Sequence, residues 1–245
     1  ILGSYLSYSK NLSQDILIRP WRYFVLSGIY SIYFVFMFIA LRHTSTISTS
    51  AIFALMPFST LILDSLFFNK KSKPLIWLAL GLSSFGALFI VFDGSFNNAL
   101  NFKLDYGEFI FLIGTIVYST YALFQPRLNN GENLLITTFG VLTAGTVILG
   151  ITLIIQDQNF IPDKISIGLI SLIIYLAIFA SIGTILCLNY ASNKIPGTNV
   201  MAYSLLIPFW VLLVESFVKD GLAPAYTYIG ILPIGLGLLI LYRNS

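Results

Sequence analysis

Residues 165–193, ISIGLISLIIYLAIFASIGTILCLNYASN, run for 29 positions without one Asp, Glu, Lys, Arg or His. A helix rising 1.5 Å per residue needs about 20 such residues to cross a hydrocarbon core of ~30 Å. A barrel strand would alternate apolar and polar residues over about 10 positions, and this run is apolar on every face. It therefore reads as a transmembrane helix. Seven further runs behave alike: Tyr23–Leu41, Thr44–Leu63, Pro74–Phe92, Phe109–Pro126, Asn133–Gln156, Ile195–Val214 and Gly221–Tyr242. The eight runs hold 171 of the 245 residues, and the charged fraction is 9%. Soluble domains carry about 25%.

The longest separator, Asp93–Glu108, has 16 residues, so no soluble catalytic or nucleic-acid-binding domain fits between spans. The net charge of +3 then carries no implication of nucleic acid as a partner. Cys187, the single cysteine, lies inside a span and forms no intrachain disulfide. No HExxH, Ser/His/Asp set, metal-ligand cluster or phosphate-cradling Gly loop occurs, so neither metal nor cofactor is expected. The fold class is all-α, a polytopic membrane helix bundle.

Assigning the separators alternately to two sides places Lys10, Arg19, Arg22, Lys70, Lys71, Lys73, Arg127, Lys194 and Arg243 on one side. The other side receives Arg42, Lys103, Lys164 and Lys219. Nine bases against four predict a cytoplasmic C-terminus in a plasma or bacterial inner membrane.

Sliding the chain by 151 residues superposes Ala51 on Ala202, Leu55 on Leu206, Pro57-Phe58 on Pro208-Phe209, Ser65 on Ser216 and Gly86 on Gly237. Asp64, seven residues after Pro57, then meets Glu215, seven after Pro208. This period predicts two copies, 1–100 and 101–245. The partners of the spans starting near Phe109 and Asn133 would fall before residue 1, which predicts an N-terminally truncated chain of an intact ten-span protein. Five helices per copy force opposite orientations, the inverted repeat of many secondary transporters.

Proline in a helix removes a backbone hydrogen bond, and in a membrane the freed carbonyls must face protein or a water-filled cavity. Pro57 and Pro208 at matched positions therefore point to a central site, with a plain packing kink as the alternative. At about 100° per residue, Asn199, Tyr203 and Trp210 fall within a ~40° arc, and Phe111, Gly114, Tyr118, Tyr121 and Gln125 within ~80°. Ser181, Thr184, Asn189 and Ser192 make a third stripe, and Tyr30, Tyr33 and Met37 a fourth. Buried amides are costly unless paired, so Gln125, Asn189 and Asn199 are expected to face a cavity or to bond between helices. The aromatic members could stack on an aromatic or methylated cationic ligand. Asp64 and Glu215 are the acids within spans, candidates for proton or ion coupling, although Lys219 at i+4 offers Glu215 a plain ion pair. Gly81, Gly86, Gly230, Gly235 and Gly237 are expected to let helices approach closely.

Three segments carry a family resemblance. They are FIALRHTSTISTSAIFALMPFSTLILDSLFFNKKSKPLIWLALGLSSFGALFIV (38–91), IGTILCLNYASNKIPGTNVMAYSLLIPFWVLLVESF (182–217) and YSTYALFQPRL (118–128). In these the chain resembles the EamA-type drug/metabolite transporter superfamily over essentially its whole length. The resemblance implies two inverted five-helix copies, cytoplasmic termini and a central cavity. The Gly-Glu pair that closes the fourth helix of each copy in that family is replaced here by Asn69-Lys70 and Lys219-Asp220.

The expected function is secondary transport of a small metabolite or amino-acid-like solute by alternating access, in the exporting direction. Its expected partners are a small-molecule substrate and the lipid bilayer, and proton coupling and a homodimer are compatible with it. An intramembrane enzyme acting on lipid-like substrates would need clustered His, Asp, Glu or Ser, which the sequence lacks. A channel or structural subunit would have no use for two matched helix breaks.

Overall fold

A computed structural model describes residues 19–92, 94–129, 131–155, 166–218 and 225–244; the side chains of residues 46, 47, 96, 215–218, 225 and 226 lie outside that description. Every regular element among the described residues is helical. In chain order these are α1 (Trp21–Ala40), α2 (Thr46–Phe53), α3 (Met56–Phe68), α4 (Pro74–Val91), α5 (Phe96–Leu100), α6 (Tyr106–Leu128) and α7 (Leu134–Ile155). There follow α8 (Ile167–Tyr175), a π-helical stretch (Leu176–Gly183), α9 (Thr184–Ser192), α10 (Gly197–Ala202), a 3-10 turn (Tyr203–Leu206), α11 (Ile207–Val218), a second 3-10 turn (Ala225–Gly230) and α12 (Ile231–Asn244). Eight stretches are long and apolar enough to cross a membrane, as expected from the eight uncharged runs. Large apolar side chains such as Phe38, Leu78, Ile154 and Leu239 are exposed, which suits lipid as the surrounding medium. The chain is an integral, multi-pass membrane protein.

The helices divide into two compact units, one of residues up to Ser31 with Phe124–Lys194, the other of Ile32–Leu123 with Ile195–Ser245. In the first, small residues bring α1 and α7 together. A β-carbon on Gly140 would lie 2.7 Å from the Tyr23 ring, and one on Gly145 2.7 Å from Ser27 Oγ. Near the start of α1, Arg22 forms a buried ion pair with Glu132 and donates to the Leu128 carbonyl at 2.7 Å. The guanidinium also lies 5.6 Å from the centre of the Tyr23 ring. A charge taken out of water is tolerated only with such compensation. Asn189 on α9 donates to Thr138 on α7 at 3.2 Å, so this amide bonds between helices.

In the second unit α4 and α12 form the central pair. Ala79 meets Gly237, Ser83 donates to the Ile234 carbonyl at 3.3 Å, and Gly86 meets Gly230, so the two helices run antiparallel. A β-carbon on Gly86 would strike the Gly230 carbonyl and lie 2.7 Å from Pro233 Cγ. One on Gly237 would strike Ser83 Oγ and the Ala79 carbonyl. These contacts are reciprocal. Positions 86 and 237, 79 and 230, and 83 and 234 are each 151 apart. Reciprocal contacts of this kind characterise an isologous pairing. Gly81 and Gly235 differ from the other three glycines, since a β-carbon on either meets nothing within 4 Å.

Candidate functional site

The candidate site starts from the two proline-containing spans. The span that opens with α2 is interrupted at Ala54–Leu55, and α3 resumes with Pro57 in its first turn. The span that opens with α10 passes through the 3-10 turn Tyr203–Leu206, and α11 resumes with Pro208 as its second residue. In both, proline sits where a helix has no N–H to lose, so the break lies just before the proline. Ala54 and Leu205, 151 apart, pack in one apolar cluster with Ala87, Ile90 and Ile234. Hydroxyls take up the carbonyls at the first break: Ser84 on α4 donates to Ala54 at 3.0 Å, and Thr60 and Ser119 donate to Met56 at 2.9 and 3.3 Å. These serines and threonines escaped the sequence reading, because an isolated hydroxyl in an apolar run gives no signal of its target.

The far end of α3 and the start of α10 share a cleft of about 190 Å³. Leu61, Asp64, Lys70, Lys71, Ser72, Lys73, Ile76, Pro196, Thr198, Asn199 and Asn244 line it. Asp64 and Asn199, two separately chosen candidates, thus come together. Asp64 is 3% exposed, and its carboxylate pairs with Lys70 Nζ at 3.5 Å. Asn69 makes that pairing possible. It ends α3 in the left-handed region, φ 51°, and turns the chain so that Lys70 reaches back over the helix end. Asparagine and glycine are the residues that tolerate this conformation, so Asn69 keeps the backbone role of the family pattern's glycine. Lys70, in place of the glutamate, reverses the charge there.

The aromatic candidates separate into two groups. Tyr33 and Tyr118 are buried and stack at 4.5 Å with 18° between ring planes. Phe111 lies 6.5 Å from Tyr33 and 5.9 Å from Phe53, and Tyr121 lies 6.4 Å from Tyr118. These rings pack on one another. Gly114 seats α6 against α1, where a β-carbon would lie 3.0 Å from Phe36 Cβ. Tyr203 and Trp210 are instead 48% and 58% exposed, whereas Asn199 is buried. For Trp210 the common phase with Asn199 fails because the intervening 3-10 turn has 3.0 residues per turn, and each of its residues rotates the chain further than an α-helical one; Tyr203 is the first residue of that turn. Of the third stripe, Asn189 and Ser192 are buried, Ser181 is half-buried and Thr184 is exposed, so α9 turns only part of that stripe inward.

Tyr30 is half-buried on α1. Gln125 is fully buried, and among the described residues neither amide atom has a hydrogen-bond partner. Next to it, Pro126 removes the N–H that would bond the Ala122 carbonyl, and Gly197 packs against that carbonyl, where a β-carbon would lie 2.8 Å away. Glu215 falls on the backbone of α11, and its side chain lies outside the described residues.

The chain matches the EamA-like transporter family over residues 1–92 and 105–243. It is 24% identical over 202 residues to the uncharacterized transporter YyaM of Bacillus subtilis (strain 168). That alignment covers 82% of this chain and 66% of the relative, so the chain spans just under two thirds of the relative's length. A solved crystal structure superposes with a TM-score of 0.75 at 14% identity, covering all of this chain and 83% of its own, a likeness of fold. With the family matched over nearly its whole length, the chain belongs to the EamA-like transporters.

Proposed function

We propose that the protein is a secondary transporter that exports a small metabolite or amino-acid-like solute by alternating access. The matched breaks in the α2–α3 and α10–α11 spans carry this reading. A continuous helix moves as a rod, whereas an interruption lets each half tilt separately, and two at corresponding positions give a bundle two hinges. Asp64 and Asn199 belong to those two spans and lie at the end that the charge bias assigns to the cytoplasm, where the C-terminus also belongs. Further along, the stacked Tyr33 and Tyr118 with Phe53 and Phe111 fill the unit's interior with rings, and a solute passing this level has to part them. Transport requires no nucleophile or general acid, and the reading is non-enzymatic.

Counterflow of a metabolite panel in proteoliposomes containing the full-length protein tests it. Saturable exchange is expected, with Asn199→Ala slowing it about tenfold, roughly the loss of one hydrogen bond to a charged group. Flux without saturation or exchange would indicate a channel, and conversion of a solute into product an enzyme. Tyr118→Ala removes the stack with Tyr33 and is expected to raise the passive leak of the exchanged solute while leaving its saturable exchange measurable. A reporter fused after Ser245 is expected in the cytoplasm.

A further inference from the structure

The acid at the opposite end of the second unit differs from Asp64 in one respect. Glu108, in the first turn of α6, is buried, and Thr44 donates to its Oε1. Among the described residues its equally buried Oε2 has no hydrogen-bond partner, while Ser48 also faces the carboxyl group. Asp64 has Lys70, but among the described residues no cationic side chain pairs with Glu108. A carboxylate held out of water with one bare oxygen is costly, and a membrane interior makes it more so. A positive charge beside Oε2 would offset that cost, and Glu108 lines a cleft of about 450 Å³.

The walls of that cleft are rich in oxygen. Ser48, Asn98, Asn101 and Asp105 line it with Glu108. The charged and titratable groups facing the acid from its surroundings are Asp105 and Lys103 on the rim, with His43 and Tyr106 beside Gly107. The described rim and wall charges, two carboxylates and one ammonium, sum to a net negative cleft. Ser48 is also the residue 151 positions before Asn199, so the α2–α3 span meets this cleft near its start as the α10–α11 span meets the Asp64 cleft near its start. Thr44 immediately precedes Ser45, the N-cap of α2.

We propose that Glu108 binds a monovalent alkali-metal cation in this cleft, with Asp105, Ser48 and the amide oxygens as further oxygen donors. A bound cation supplies the charge that Oε2 lacks and, through Thr44, fixes the start of α2. The assignment deepens the transport reading by naming the coupling ion.

The test uses the full-length protein in detergent, with choline chloride replaced by NaCl or KCl at constant ionic strength. A ligand that binds only the folded state raises the unfolding temperature in a saturable way. A saturable rise of about 3–5 °C with Na⁺ or K⁺ over choline is expected, abolished in Glu108→Gln, which keeps the side chain's shape. Asp105→Asn, on the exposed rim, provides a second variant and is expected to weaken the apparent cation affinity at least threefold. An equal rise in both variants and the parent, or no difference from choline in the parent, would overturn the assignment. A rise produced by acid pH alone, with no alkali-cation effect, would also overturn it. No solute is present, so a failed cation shift leaves solute counterflow standing, and failed counterflow leaves the cation site standing.

Discussion

Gly237→Leu is expected to prevent the protein from folding. The β-carbon would strike both Ser83 Oγ and the Ala79 carbonyl. The hydroxyl can rotate away, but the carbonyl belongs to the backbone of α4 and moves only with the helix. Separating α4 from α12 opens the cluster of Ala54, Ala87, Ile90, Leu205 and Ile234, and with it both helix breaks. Overpacking a core side chain costs about 1–3 kcal/mol, and a backbone collision between two helices exceeds that range. The yield of monodisperse protein in fluorescence-detected size exclusion is expected to fall at least tenfold. Gly235→Leu adds the same side chain one turn face away, into open space, and is expected to leave the yield unchanged. If both variants behaved alike, membrane insertion rather than helix packing would be the cause. Gly86→Leu, the reciprocal change, is expected to match Gly237→Leu, since it meets the Gly230 carbonyl.

The second large effect concerns charge. Glu132→Ala strands the Arg22 guanidinium in a buried site with the carbonyls of Leu128 and Arg19 as its remaining acceptors. Removing one partner of a buried ion pair costs about 3–5 kcal/mol, most of it the desolvation of the charge left behind. Arg22→Met in the same background removes that charge. The double variant Arg22→Met/Glu132→Ala is therefore expected to recover most of the stability that Glu132→Ala loses. Unfolding curves of the single and double variants measure the coupling. A double variant as unstable as Glu132→Ala would mean that the pair acts by its shape rather than its charge.

Span number and helix type were legible because a bilayer sets a minimum length that composition alone reveals, as in the run 165–193. The 151-residue offset likewise singled out Gly86 and Gly237, which prove to be close-approach positions. Proline marked the broken spans but not the break itself, which precedes Pro57 and Pro208 because helix starts accept proline without loss. Phase failed at Trp210, beyond a change of helix type. Trp210 shares an α-helical face with Asn199 on paper, and a 3-10 turn separates their environments. The Arg22–Glu132 pair was illegible for a different reason: its members are 110 residues apart, and no local rule connects them. Asp64 and Lys70 were closer in sequence, but their meeting depends on the left-handed Asn69, which sequence spacing alone does not disclose. Glu108 was passed over as a boundary residue because its value rests on what its second oxygen lacks.

The hydrogen bond from Ser83 to Ile234 joins counterparts. If two identical chains met through this surface, each residue at the crossing point would face its own twin, serine on serine or isoleucine on isoleucine. A self-facing position has to satisfy itself, so it cannot pair a donor on one side with an apolar filler on the other. A single chain carrying both halves is released from that constraint. Here one half keeps a hydroxyl and the other offers only its backbone oxygen, while its side chain fills the core beside Ala54 and Leu205.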